Sequence, residues 1–172
     1  MDYGYLYKKL NKRTPLKTDC GKLCSNACCV DTDGEELGMY LFPHEEEMFL
    51  SKDNFKIEES DLSYMGKKAK ILYCKPYCIR NERPLSCRIF PLFPYITIEG
   101  DLKIIIDPRG RSVCPLYRKE ISELNVSFVR GVRHIANILL KDEETYEFLF
   151  ELSRVIDQEV NQIVDNLKKI IN

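Results

Sequence analysis

Eight cysteines are the residues of this sequence best suited to chemistry, and all of them lie in its first two thirds. They form two blocks and a single residue. In a reducing compartment, clustered thiols are more often metal ligands or redox groups than disulfides. We therefore predict a cysteine-ligated metal site, with thiol redox chemistry as an alternative. The candidate ligands are Cys20, Cys24, Cys28, Cys29, Cys74, Cys78, Cys87 and Cys114.

The spacing of the first block suits convergence on a shared point. Cys20, Cys24 and Cys28 are four residues apart, which on a helix places them along one slowly drifting face, and a turn would gather them equally well. The adjacent Cys28 and Cys29 point in different directions in either a helix or a strand, so we expect them to have different roles. The later cysteines lie in distant segments that would close a site. Eight thiols suffice for two four-cysteine sites, or for one site with thiols left over.

The cysteine spacing also bears on which metal is bound. Thiolates bind zinc in a closed tetrahedron and hold iron–sulfur clusters at other spacings. Neither the bacterial ferredoxin run nor the plant-type spacing occurs here, and the CxxxCxxC arrangement of radical enzymes would need a cysteine where Ala27 stands. We predict zinc as the preferred cofactor, with iron or an iron–sulfur cluster as the alternative.

The order of the cysteines resembles that of a known family. Four cysteines that end in a Cys-Cys pair are followed by Cys74 and Cys78, then by the run RPLSCRIFP at 83–91, and finally by Cys114. Over roughly residues 18–118 this order is similar to the zinc- or iron-chelating cysteine-cluster (CxxCxxxCC, YkgJ-type) proteins, which are related to flagellin lysine N-methylases. The resemblance implies metal chelation by the cysteines. The chain departs from the family pattern in the wider spacing of Cys20 and Cys24 and in the short gap between Cys74 and Cys78.

The helices and strands expected around these thiols make this an α+β protein. We expect a small, irregular, cysteine-rich core organised by metal, with short strands at 38–42 and 69–73 and a hairpin within 95–107 that turns at Gly100. Pro43 and the glutamates after it predict a short helix. The composition changes near residue 115. We therefore predict a cysteine-cluster region, 1–115, and a helical region, 116–172, packed on it in one compact domain.

Apolar periodicity predicts two C-terminal helices. The first covers 126–140, with Asn125 as its N-cap. The second runs from Asp142 to the end of the sequence, and packing in the core or in a dimer would give the same pattern. Its apolar stripe consists of Phe148, Leu149, Leu152, Ile156, Val160, Ile163, Leu167 and Ile170.

Arginines near the cysteines offer a second kind of chemistry. Arg80, Arg83 and Arg88 stand among the middle cysteines, where they would neutralise thiolates or hold an anion, although a solvated loop explains them as well. Arg109 and Arg111 in DPRGRS similarly suggest an anion site, for which a basic turn is the simpler explanation.

Two further candidates have simpler structural explanations. His44 with Glu45, Glu46 and Glu47 would make a histidine–carboxylate metal site, but glutamates in the first turn of a helix are better explained by the helix dipole. His134 lies beside an apolar stripe and is expected to be a packing or surface residue.

Charge and glycine content exclude several classes of function. The net charge is −1, so no overall positive field favours nucleic acid or anionic membrane. There is no GxG, so the usual dinucleotide fingerprint and P-loop are missing. The sequence has no secretory h-region and no run of eighteen apolar residues, so we expect a cytoplasmic protein without a membrane span.

The function predicted from these observations is that of a metal-binding protein serving as a binding or accessory module, whose partner would be another protein. The sequence does not indicate an oligomeric state. The alternatives are a metal-dependent protein methyltransferase resembling flagellin lysine N-methylase, and a thiol redox protein.

Overall fold

A computed structural model describes residues 1–29, 37–74 and 80–171, except for the side chains of Cys29, Ile170 and Ile171. Within these residues the chain is an α+β protein, as predicted, with every strand pairing antiparallel. Its helices are α1 (Tyr3–Leu10), α2 (Gly21–Cys24), α3 (Leu85–Ile89), α4 (Val126–Leu139) and α5 (Glu143–Ile171). Its strands are β1 (Gly38–Tyr40), β2 (Phe55–Tyr64), β3 (Lys67–Cys74), β4 (Leu92–Ile96) and β5 (Leu102–Ile106).

The first sheet has the strand order β1–β3–β2, and the predicted strands at 38–42 and 69–73 correspond to β1 and β3. The strand β2 was not predicted. It pairs with β3 through a tight turn at Met65 and Gly66, both in the left-handed region, with φ of 47° and 73°. A register irregularity between Glu59 and Ser63 interrupts the pairing, and such a bulge breaks the two-residue alternation by which a strand is recognised in sequence.

The second sheet is the predicted hairpin, formed by β4 and β5. Gly100 has φ of 89°, a conformation that L-residues with side chains rarely adopt, and this accounts for the turn at the predicted position. The Thr97 hydroxyl accepts a hydrogen bond from the Asp101 amide, which closes the turn.

Both predicted C-terminal helices are present. In α4 the Asn125 side chain caps the first turn by accepting from the Ser127 amide, and a buried stripe faces the core. At the start of α5, Asp142 accepts from both the amide and the hydroxyl of Thr145.

The apolar stripe of α5 is buried along only part of its length. Phe148, Leu149, Leu152 and Ile156 are all at most 2% exposed. Beyond them the stripe leaves the core, and Val160 and Leu167 are 40% and 53% exposed. Intramolecular packing therefore explains the first half of the predicted stripe, whereas the side chain of Ile170 lies outside the described residues.

The amino-terminal helix α1 was not predicted, and it supplies three core residues, Tyr3, Leu6 and Leu10. One hydrophobic cluster contains these residues together with buried residues of α3, β4, α4 and α5. This cluster draws on both sides of the predicted boundary at residue 115.

None of the described helices combines the length and the apolar character that crossing a membrane would require.

Candidate metal centre

The amino-terminal thiols are carried by a tight reversal of the chain. Cys20 precedes α2 and Cys24 ends it, and the next two residues, Ser25 and Asn26, are left-handed, with φ of 51° and 59°. A 3₁₀ turn, Ala27–Cys29, follows. Left-handed residues end a helix and redirect the chain. Of the two arrangements that the four-residue spacing allows, the structure has the turn.

Cys114 approaches from a distant part of the chain. Its backbone N–H donates to the Gly110 carbonyl at 2.8 Å, and it caps the 3₁₀ turn Pro115–Arg118. Burial raises the pKa of the Cys114 thiol, and the nearby backbone N–H groups of Leu116 and Tyr117 act in the opposite direction. The N–H of Tyr117 donates to the Cys114 carbonyl at 2.9 Å. N–H dipoles close to a sulfur favour its thiolate form, which is the form that binds metals.

The lack of a side chain at Gly110 lets the RPLSCRIFP run pack closely against this segment. A Cβ at Gly110 would lie 2.8 Å from Cζ of Phe90 and 3.4 Å from Cβ of Cys114. The first distance is shorter than real Cβ contacts, so a larger residue would displace the Phe90 ring. Glycine here lets Phe90, three residues after Cys87, pack beside the turn that carries Cys114.

Four thiols share one electrostatic neighbourhood. Burial, followed by the charges of Asp19, Cys28 and Cys114, raises the pKa of Cys20 to about 11. Cys28 and Cys24 also act to raise the pKa of Cys114, after burial as the largest cause. Thiols that are roughly 90 residues apart along the chain are thus brought close enough in the fold to repel one another as anions.

A buried arginine opposes this repulsion. Arg83 is 8% exposed and lowers the pKa of Cys20. Arg83 and Arg80 both approach the Asp19 carboxylate, at 3.9 and 3.7 Å. Of the arginines near the cysteines, Arg83 therefore lies where it can offset negative charge at Cys20, and Arg80 also donates to the Arg13 carbonyl. The predicted neutralising role stays a prediction.

Two of the other predicted ligands belong to α3 and β3, and two are not described. Cys87 is in α3, and Cys74 ends β3 and packs against a smaller hydrophobic cluster. Cys78 and the side chain of Cys29 are not described. No disulfide joins the six described cysteines to one another. Over residues 1–29, 37–74 and 80–171, no three His, Cys, Asp or Glu side chains are gathered closely enough to hold a metal ion.

A buried carboxylate positions the helix that carries Cys87. Glu45 is 0% exposed and accepts three hydrogen bonds, from the Tyr7 hydroxyl at 2.5 Å, the Leu85 amide at 2.6 Å and the Phe42 amide at 3.1 Å. Leu85 is the first residue of α3. The guanidinium of Arg88, which belongs to α3, stacks over the Tyr7 ring at 4.2 Å.

Arg88 then fixes the preceding loop. Its Nε donates to the Arg83 carbonyl and its Nη2 to the Asn81 carbonyl, both at 2.6 Å. Nothing in the sequence indicates this network, because nothing there distinguishes Glu45 from the glutamates after it. The predicted short helix is a 3₁₀ turn, Glu45–Met48.

The burial of Glu45 predicts a pH dependence of stability. Burial raises the pKa of Glu45 to about 7 from its ordinary 4.5, although its three hydrogen bonds and Arg88 lower it; Tyr3 and Tyr7 also face it. The folded state binds this proton more tightly than the unfolded chain does. The resulting stability is therefore fully present below pH 4.5 and is lost as the pH rises through 7.

We expect this group to lower the free energy of unfolding by about 3 kcal/mol between pH 4.5 and 7.5. Urea unfolding across that range, compared with Glu45→Gln, isolates the contribution because the amide does not titrate. If the free energy of unfolding changed with pH in the same way in both proteins, Glu45 would not be the source of the pH dependence.

The remaining candidates from the sequence have ordinary partners. His44 pairs with Glu144 at 2.9 Å, and His134 is exposed. Arg109 forms an ion pair with Asp107, whereas Arg111 is exposed. A histidine–carboxylate metal site around His44 is therefore not formed among the described side chains.

Comparison with known proteins gives no relative: no protein-family model, no curated protein and no solved structure matches this chain. The resemblance to the cysteine-cluster family stays a prediction.

Proposed function

We propose that this is a cytoplasmic, cysteine-ligated metal-binding protein that acts as a binding or accessory module for a protein partner. Zinc is the preferred metal, and iron or an iron–sulfur cluster is the alternative. The observation that supports the proposal is that Cys20, Cys24 and Cys28 lie near enough to Cys114 to interact with it electrostatically, from opposite ends of the cysteine-bearing region. Among the described residues no three such side chains are gathered as a metal site, so binding would have to draw the thiols closer.

The chemistry of these donors fits a thiophilic metal. Four sulfurs are the usual complement of a closed structural zinc site. The backbone N–H groups near Cys114 and the buried Arg83 near Cys20 would both offset the negative charge of such a site. The bound metal would supply folding energy, because the unfolded chain does not hold these thiols near one another.

The acidity of the thiols favours metal binding over redox chemistry. A redox cysteine is typically exposed and has a lowered pKa. Burial instead raises the pKa of Cys20, to about 11, and that of Cys114. Cys20 is therefore a neutral thiol at pH 7 until a cation displaces its proton.

Elemental analysis tests the proposal directly. The protein is purified anaerobically without a histidine tag, and zinc and iron per chain are measured by mass spectrometry. We expect a near-integral zinc content, of one or two per chain, as structural sites give. Several irons per chain would favour the cluster alternative, and neither metal above background would refute the proposal.

A further inference from the structure

A pocket of about 140 Å³ lies directly beside the thiol group. Cys28 forms part of one wall, and an Asp107–Arg109 ion pair forms part of another. The volume is enough for roughly four or five groups the size of a water molecule or a methyl. The rest of the lining is mostly apolar and consists of Leu37, Gly38, Met39, Tyr40, Phe90 and Val113.

The ion pair in this pocket is built with one edge of the guanidinium. Nε of Arg109 donates to Oδ1 of Asp107 at 2.9 Å, and Nη2 donates to Oδ2 at 2.6 Å. Asp107 is only 3% exposed, and its Oδ1 also accepts from the backbone N–H of Arg109. The rings of Phe93 and Tyr40 lie 5.1 and 5.8 Å from the guanidinium carbon. The guanidinium is thus held in a fixed plane.

The opposite edge of the same guanidinium is available to a ligand. Nη1 has no acceptor within the described part of the chain, and the side chain of Arg109 is 23% exposed. Its N–H donors point in a planar fork, which matches the two oxygens of a carboxylate. Because Asp107 already fixes the orientation, little side-chain entropy is lost on binding.

We propose that this pocket binds a small aliphatic carboxylate, with the carboxylate on the free edge of Arg109 and the apolar tail between Met39, Phe90 and Val113. The tail then ends against the wall that contains Cys28. This site goes beyond the proposed metal binding and does not require it, since Arg109 and the apolar lining exist without a metal. It gives the DPRGRS segment the anion-binding role that a basic turn alone would not have.

The test uses 4-methylpentanoate as the probe and the methionine methyl signals of the full-length protein as the readout. Met39 lines the pocket, whereas Met65 is exposed at the β2–β3 turn and serves as an internal reference. We expect saturable shifts of the Met39 signal with a dissociation constant near ~1 mM, in the range of weak ligands, and no shift of Met65. The neutral 4-methylpentanamide is expected to bind at least ~10-fold more weakly, because it does not form an ion pair with Arg109.

Matched variants distinguish binding of the probe in the pocket from non-specific binding elsewhere. Arg109→Met is expected to weaken binding at least ~10-fold, while Arg111→Met, which removes an exposed arginine from the same segment, leaves it unchanged. Val113→Phe keeps the ion pair and fills the pocket, so it too is expected to weaken binding, which covers the case in which Arg109→Met does not fold.

Three results would overturn the carboxylate site: equal affinity for acid and amide, equal loss in the Arg109 and Arg111 variants, or no Met39 shift at about 50 mM probe, well above the expected constant. Metal content is measured in each variant. A variant that loses probe binding but keeps its metal shows that the pocket, and not the metal site, binds the probe. An unmodified protein that binds the probe but contains no metal refutes the proposed function and leaves the carboxylate site standing.

Discussion

Replacing Cys114 by serine is expected to lower metal content and thermal stability together. Cys114 is the distant member of the thiol group, so its loss would leave the proposed metal site one ligand short even though Cys20, Cys24 and Cys28 remain. Binding energy at a structural thiolate site is also folding energy. We expect zinc affinity to fall at least ~100-fold and the melting temperature by about 10 °C, the shift that roughly 3 kcal/mol produces in a protein of this size.

The control is Ala27→Ser, which adds a hydroxyl in the turn between Cys24 and Cys28 without removing a thiol. Its melting temperature is expected to stay within about 2 °C of the unmodified protein, since partly exposed changes of this kind cost little. A zinc chelator should lower the melting temperature of the unmodified protein to that of Cys114→Ser and leave the melting temperature of the variant unchanged. If Cys114→Ser retained full metal content, Cys114 would not be a ligand.

Replacing Glu45 by alanine is expected to destabilise the protein by about 4 kcal/mol. The variant leaves the Tyr7 hydroxyl and the amides of Leu85 and Phe42 buried without their acceptor. Each such group costs roughly 1–3 kcal/mol when it is not hydrogen-bonded. Because Leu85 begins the helix that contains Cys87, we also expect α3 to loosen, and hydrogen exchange at the Ile89 amide reports that change.

Glu47→Ala is the matched control, because Glu47 is exposed in the same 3₁₀ turn. Its free energy of unfolding, measured with urea at pH 6, is expected to change by no more than about 0.5 kcal/mol. Glu45→Gln retains one acceptor oxygen and should fall between the two. Equal stability of Glu45→Ala and Glu47→Ala would show that water replaces the carboxylate at no cost.

The elements with strong local signals could be predicted from the sequence. The β4–β5 hairpin was recognisable because two β-rich runs flank Gly100, and α4 because Asn125 precedes a regular apolar stripe. In each case the information lies within about fifteen residues. The helix α1 is short, and its apolar positions include tyrosines, so tertiary packing rather than local pattern decides its structure.

The candidate site was less predictable because it depends on long-range contacts. The cysteines are evident in the sequence, but the approach of Cys114 to Cys20, Cys24 and Cys28 depends on the whole fold. The buried Glu45 and Asp107 resemble ordinary surface acids in the sequence. Their roles follow from donors about forty residues away in one case and from a pocket wall in the other.

The distribution of the thiols along the chain has a consequence for the order of assembly. Cys20, Cys24 and Cys28 emerge early in synthesis, whereas Cys114 follows only after both sheets have been made. If the proposed metal site exists, Cys20, Cys24 and Cys28 are the thiols that would be available to hold the metal before Cys114 has been made. Cys114 would complete the set, and the metal would then tie the amino-terminal turn to the segment that follows β5.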